Sequence, residues 1–174
     1  MAAAIGFALS GGALAQAMTK NQYQSAKDAI AAELKAAKAD CQTLSANAGD
    51  ICKAKAGGRE KVALAELETW YKPSANATYE LRLARADADF RLAREICDDK
   101  AGNVKDVCVK EAKAGEVAAR ADAKERLKTT DARDEAASAR READYAVAKE
   151  KCGSFAGDAK SNCMNDAKAR FGKS

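Results

Sequence analysis

Histidine is absent from this 174-residue chain, proline occurs once, and the aromatic side chains amount to one Trp, four Tyr and four Phe. Without histidine there is no side chain whose ordinary pKa lies near neutrality, no Ser-His-Asp triad, and the commonest metal ligand is missing. So few large rings rule out a thick core, because burying a methyl group contributes far less than burying a Phe or a Leu. A concentrated basic stripe is also lacking. The 30 Lys and Arg residues are interleaved with 26 acids for a formal net charge of +4, so the surface of a phosphate-backbone binder is not there and nucleic acid is not an expected partner. No catalytic or cofactor motif is present, and the expectation is a protein that is not an enzyme and carries neither metal nor cofactor.

What fills the chain instead is alanine, about a quarter of all residues, with charged residues at 32%. Ala, Lys, Glu and Arg are the residues least costly in a helix interior, so the expected fold is all-α. Residues 1–17 stand apart. They carry no charge and end in the small-x-small sites Ala13-Leu14-Ala15 and Ala15-Gln16-Ala17. The run is shorter than the ~20 residues a membrane-spanning helix needs and has the form of the apolar part and cleavage site of a secretory leader. No Lys or Arg follows Met1. The reading is a signal peptide over 1–17, export to the periplasm, and a mature chain from Met18 without a transmembrane segment.

Six cysteines support an oxidising compartment. They fall as Cys41/Cys52, Cys97/Cys108 and Cys152/Cys163, each pair C-x10-C, with pair starts 56 and 55 residues apart. Equal spacing three times over is an internal repeat. A large apolar residue, Leu34, Phe90 or Tyr145, sits seven before each first cysteine, on the same helical face. Between the cysteines, the fifth position is Ala46, Gly102 or Gly157 and the sixth is Asn47, Asn103 or Asp158. A small residue followed by Asn or Asp is the chemistry of a tight helix–helix turn, the glycine ending one helix and the polar residue capping the next. Two cysteines on either side of such a turn face each other across antiparallel helices, within disulfide reach. Structural zinc prefers C-x2–4-C clusters and redox catalysts prefer C-x-x-C; neither occurs, which leaves thiolate metal sequestration as the weaker alternative.

The expected architecture is therefore three antiparallel helical hairpins, each pinned near its turn by a disulfide, in an elongated or loose bundle: 18–73, 74–130 and a short third hairpin at 131–174. The first helix is expected over Gln22 to Ser45 with the seam Ile30, Leu34, Ala37, Cys41 and Leu44. The second is expected over Asp50 to Tyr71, interrupted or bent near Gly57-Gly58, and ended by Pro73. The third is expected over Ala77 to Asp99. From Asn103 to Lys151 only Thr129-Thr130-Asp131 offers a break, since these residues favour caps over helix interiors.

Two groups are candidates for an interaction surface. Trp70, Tyr71 and Tyr79 flank Pro73, where they either form a contact patch or seal a joint between repeats. Leu81, Leu92 and Ile96 lie off the main seam of the third helix, which implies a second neighbour there. The strings at 86–97, 106–113, 143–152 and 167–174 resemble a group of exported beta-proteobacterial proteins often labelled cell envelope biogenesis protein TolA. That resemblance covers the mature chain, supplies no catalytic residues, and implies an envelope role with an envelope protein or a peptidoglycan-associated partner. The function expected is a non-enzymatic structural, interaction or stress-protective component of the cell envelope; a periplasmic chaperone that binds unfolded proteins is the rival.

Overall fold

The structure, a computed structural model, describes residues 18–173; the leader read into residues 1–17 lies outside the described residues. Five helices follow one another: α1 (Lys20–Cys41), α2 (Ala46–Tyr71), α3 (Ala75–Cys97), α4 (Gly102–Cys152) and α5 (Gly157–Phe171). Their ends follow from local chemistry. Thr19 opens α1 with a capping box, its hydroxyl accepting from the Gln22 N–H at 3.2 Å while its own N–H donates to the Gln22 side chain at 2.8 Å. Ser74 caps α3 by accepting from the Ala77 N–H at 3.0 Å, just after Pro73 has stopped α2. α5 closes on Gly172 in the left-handed region, where the Lys173 N–H reaches back to the Lys168 carbonyl at 2.8 Å.

The chain divides into two compact units, the first ending at Arg120 and the second beginning at Ala121, a boundary inside α4. In the first unit α2 is the centre, packed against both α1 and α3. Ile30, Leu34 and Ala37 of α1 face Ala56 and Ala63 of α2, which is the seam the 4-3-4 spacing anticipates. Gly58 is buried where α2 meets α3; a Cβ there would lie 3.0 Å from the Ala88 Cβ. Among the described residues the buried apolar side chains of this unit are Cys41, Ala56, Leu67, Ala86 and Cys97, of which only Leu67 is a large aliphatic. In the second unit they are Ala123, Cys152 and Ala167.

Three expectations need correction. α2 runs unbroken through Gly57-Gly58; Gly58 serves close helix packing and does not interrupt the helix. The break at Thr129-Thr130-Asp131 is absent, and α4 is continuous. Both threonine hydroxyls donate to carbonyls one turn back, Thr129 to Glu125 at 3.0 Å and Thr130 to Arg126 at 2.9 Å. Their competing hydrogen-bonding capacity is thereby absorbed inside the helix. Finally, α1 stops at Cys41, so Leu44 leaves the predicted seam and sits exposed in the turn.

Candidate functional site

The three stapled turns are near copies of one another. Each first cysteine is the last residue of its helix, and each second cysteine is the seventh residue of the next. The disulfides are Cys41–Cys52, Cys97–Cys108 and Cys152–Cys163, with Cα–Cα distances of 5.4, 5.7 and 5.6 Å. In every turn the three residues after the first cysteine donate backbone N–H bonds to carbonyls three positions back, ending in Leu44 to Cys41, Lys100 to Cys97 and Phe155 to Cys152. The helix then restarts on a residue with positive φ: Ala46 at 49°, Gly102 at 55° and Gly157 at 55°. Glycine takes that conformation at no steric cost, whereas the alanine of the first turn is strained.

Because the left-handed residue already belongs to the new helix, the Asn or Asp that follows it lies inside the helix, too late to cap it. The residues before the restart in turns one and three, Ser45 and Ala156, cap without a side-chain hydrogen bond. Asn47 has a different task from the one its type suggests. Its amide donates to the Glu95 carbonyl at 2.8 Å, tying the first turn to the last turn of α3. That carbonyl belongs to the group a helix C-terminus leaves unsatisfied.

Between α2 and α3 lies an open groove of about 460 Å³. Ala54, Val62, Ala63, Ala88 and Leu92 supply its apolar lining, with Gly58 packed against Ala88. Along its edge Arg85 pairs with Glu66 at 2.6 Å, and Lys55 and Arg59 make no ion pair among the described residues. Of the off-seam trio, Leu92 alone lines this groove; Leu81 is half-buried and Ile96 is 46% exposed. The aromatic group around Pro73 does not assemble. Tyr71 stacks on Tyr23 of α1 with ring centroids 4.3 Å apart, Trp70 is 72% exposed, and no ring of the described residues pairs with Trp70 or Tyr79. Tyr23, whose hydroxyl donates to Glu68, escaped the sequence reading although it sits seven residues before Ile30 on the same seam.

Charge in the first unit is balanced locally. Burial pushes the Asp87 carboxyl up, but hydrogen bonds from Lys61 at 2.9 Å and Arg91 at 3.1 Å outweigh it and hold the group below its ordinary value. Glu116 is buried on α4 and held low by Lys113 and Arg120, each at 2.7 Å. Lys113 also lies over the Phe90 ring, 5.0 Å from its centroid, so this charged group packs on α3 as well. In the second unit Tyr145 meets Phe171 at 6.0 Å, and Lys173 pairs with Glu142.

Among the described residues all six cysteines are disulfide-bonded, no cluster of Cys, Asp and Glu gathers where a metal ion could sit, and no buried polar side-chain atom lacks a partner. No helix of the described residues is long and apolar enough to cross a membrane. The arrangement offers contact chemistry: a shallow apolar groove, exposed Trp70 and Ile96, and apolar residues Leu44 and Phe155 at the tips of two rigid turns. No protein-family model matches the chain, and no curated protein sequence or solved structure matches it either.

Proposed function

We propose that this is a non-enzymatic protein of the bacterial periplasm, a helical scaffold that makes protein contacts in the cell envelope. The observation that carries the reading is the threefold repeat of one stapled turn. Disulfides form and persist in oxidising compartments, and each here closes a hairpin whose helices bury few large apolar groups. A chain built this way invests in rigid helical surface and not in an enclosed cavity, which suits docking better than chemistry. The resemblance to TolA-labelled exported proteins supports the same location. The test is photocrosslinking in living cells from Leu92 and from Ile96. Discrete adducts with one or a few envelope proteins support a scaffold, and recovery of the protein in the cytoplasmic fraction with six titratable thiols sinks the proposal.

The second reading is a chaperone for unfolded proteins, favoured by the apolar lining of the α2–α3 groove at Val62, Ala88 and Leu92. On that reading the protein slows aggregation of a denatured client, and the Leu81→Asp/Leu92→Asp variant loses the effect. Equal aggregation with wild type, variant and no addition removes this alternative.

A further inference from the structure

The three disulfides are chemically alike, yet the packing around them is not. In each pair the first cysteine is buried to 1% exposure or less, while the second is partly exposed. A thiolate therefore reaches the second sulfur, and access does not distinguish the pairs. What distinguishes them is how firmly the rest of the fold holds the two sulfurs together once the bond is broken. Cys41 and Cys52 join α1 to α2, which also share the Ile30–Leu34–Ala37 seam and the Tyr23–Tyr71 stack. Cys97 and Cys108 join α3 to the start of α4; α3 is backed by α2, and Lys113 over Phe90 links the same two helices further along. Asn47 binds the first turn to α3 besides.

The third pair has far less behind it. Within its unit α5 has one neighbour, α4. Apart from the disulfide, the contacts that hold α5 and its C-terminal extension are buried Ala167, the tilted Tyr145–Phe171 pair, Lys173 over the Tyr145 ring at 5.7 Å, and the Lys173–Glu142 ion pair with Glu142 exposed. α5 is 15 residues long, a length at which an isolated helix is marginal in water. Ordering each residue costs roughly 1–2 kcal/mol in backbone entropy, so contacts this sparse do not hold α5 once it is unclasped.

We propose that Cys152–Cys163 is a redox-sensitive clasp: a dithiol reductant opens it before the other two bonds, releasing α5 while the first unit stays folded. A thiolate of the reductant attacks the Cys163 sulfur, and the S–S bond breaks with its electron pair leaving on the Cys152 sulfur, which then takes a proton. The second thiol of the reductant, once deprotonated, displaces Cys163 from the mixed disulfide. Cys163 in turn takes a proton. The reductant leaves as a disulfide, two electrons have passed to the protein, and both cysteines are thiols. Release uncovers Ala167 and the facing sides of Tyr145 and Phe171, which are half-buried in the closed form. The inference is independent of which partner the groove binds.

The experiment uses the full chain equilibrated in dithiothreitol at graded ratios of reduced to oxidised form, quenched by alkylation, with each bond followed by peptide mass mapping. Cys152–Cys163 is expected to reach half-reduction at a ratio at least tenfold less reducing than the other two, about 30 mV for a two-electron couple. At that ratio amide hydrogens of 157–171 exchange while those of 46–97 remain protected. Tyr145→Ala, which touches no sulfur, moves the third bond alone to a still milder ratio. Opening of all three bonds together, earlier opening of either other bond, persistent protection of α5 after its bond is open, or an equal shift of all three in Tyr145→Ala overturns the proposal.

Discussion

One staple, placed at the same step of the same turn, serves two unlike surroundings. In the first unit α2 lies between α1 and α3, so these three stapled helices have a packed seam as well as a covalent bond, and the start of α4 is tied to α3 by Lys113 over Phe90. In the second unit α5 rests on α4 through Ala167 and the Tyr145–Phe171 pair. The difference teaches that a disulfide's contribution is set by what surrounds it. Where packing already holds the helices, the bond adds to a fold that exists; where packing is slight, the bond is the condition for the helix being there.

The contrast is open to direct attack, and the largest effect belongs to the weaker side. Replacing Cys152 and Cys163 together by Ala is expected to abolish the helical signal and amide protection of 157–171. The same exchange at Cys41 and Cys52 lowers stability by about 3 kcal/mol, the chain-entropy value for so short a loop, and leaves α1 and α2 helical. Leu67→Ala removes the one large aliphatic buried among the described residues of the first unit and is expected to cost about 2–3 kcal/mol, read from urea midpoints, without changing exchange in α5.

A smaller effect separates the turns themselves. Ala46→Gly relieves a left-handed alanine and is expected to stabilise by about 1 kcal/mol. Gly102→Ala and Gly157→Ala impose the strain and cost a similar amount, since no atom lies near the added methyl to change the balance. Thermal melts of the three variants check the signs. The mildest test is acid. Asp87 and Glu116 have carboxyls held below their ordinary values of 3.8 and 4.5. Their contribution is therefore present at neutral pH and is lost as pH falls below about 4, through the depressed values of the folded state. The double variant Asp87→Asn/Glu116→Gln is expected to show a flatter fall in urea midpoint between pH 5 and pH 3 than the wild type.

Much of the local structure was legible. The C-x10-C spacing with a small residue at its fifth position identified three bends and three pairs of facing sulfurs, because a tight turn between antiparallel helices leaves few registers in which two cysteines meet. Pro73 marked the α2–α3 junction. The errors lie where a residue type has two uses. Gly58 has the make-up of a helix breaker, but its missing Cβ is what admits Ala88. Thr129 and Thr130 have the chemistry of caps, but their hydroxyls bond within the helix. Asn47 has the look of a cap and instead bridges to Glu95, 48 residues away, a distance in sequence that no local rule spans. The aromatic group around Pro73 was the poorest guide, for nearness in sequence did not say that Tyr71 turns to Tyr23 while Trp70 faces solvent.

The amino-acid order alone determined that this chain is helical, where most of its bends fall, and which sulfurs pair, since each of these depends on residues within a dozen positions of one another. Tertiary structure alone decided which helices share a seam, that an apolar groove opens between α2 and α3, and how much packing backs each staple. Those outcomes follow from side chains meeting across helices distant in sequence, where alanine faces are so alike that spacing does not say which face meets which.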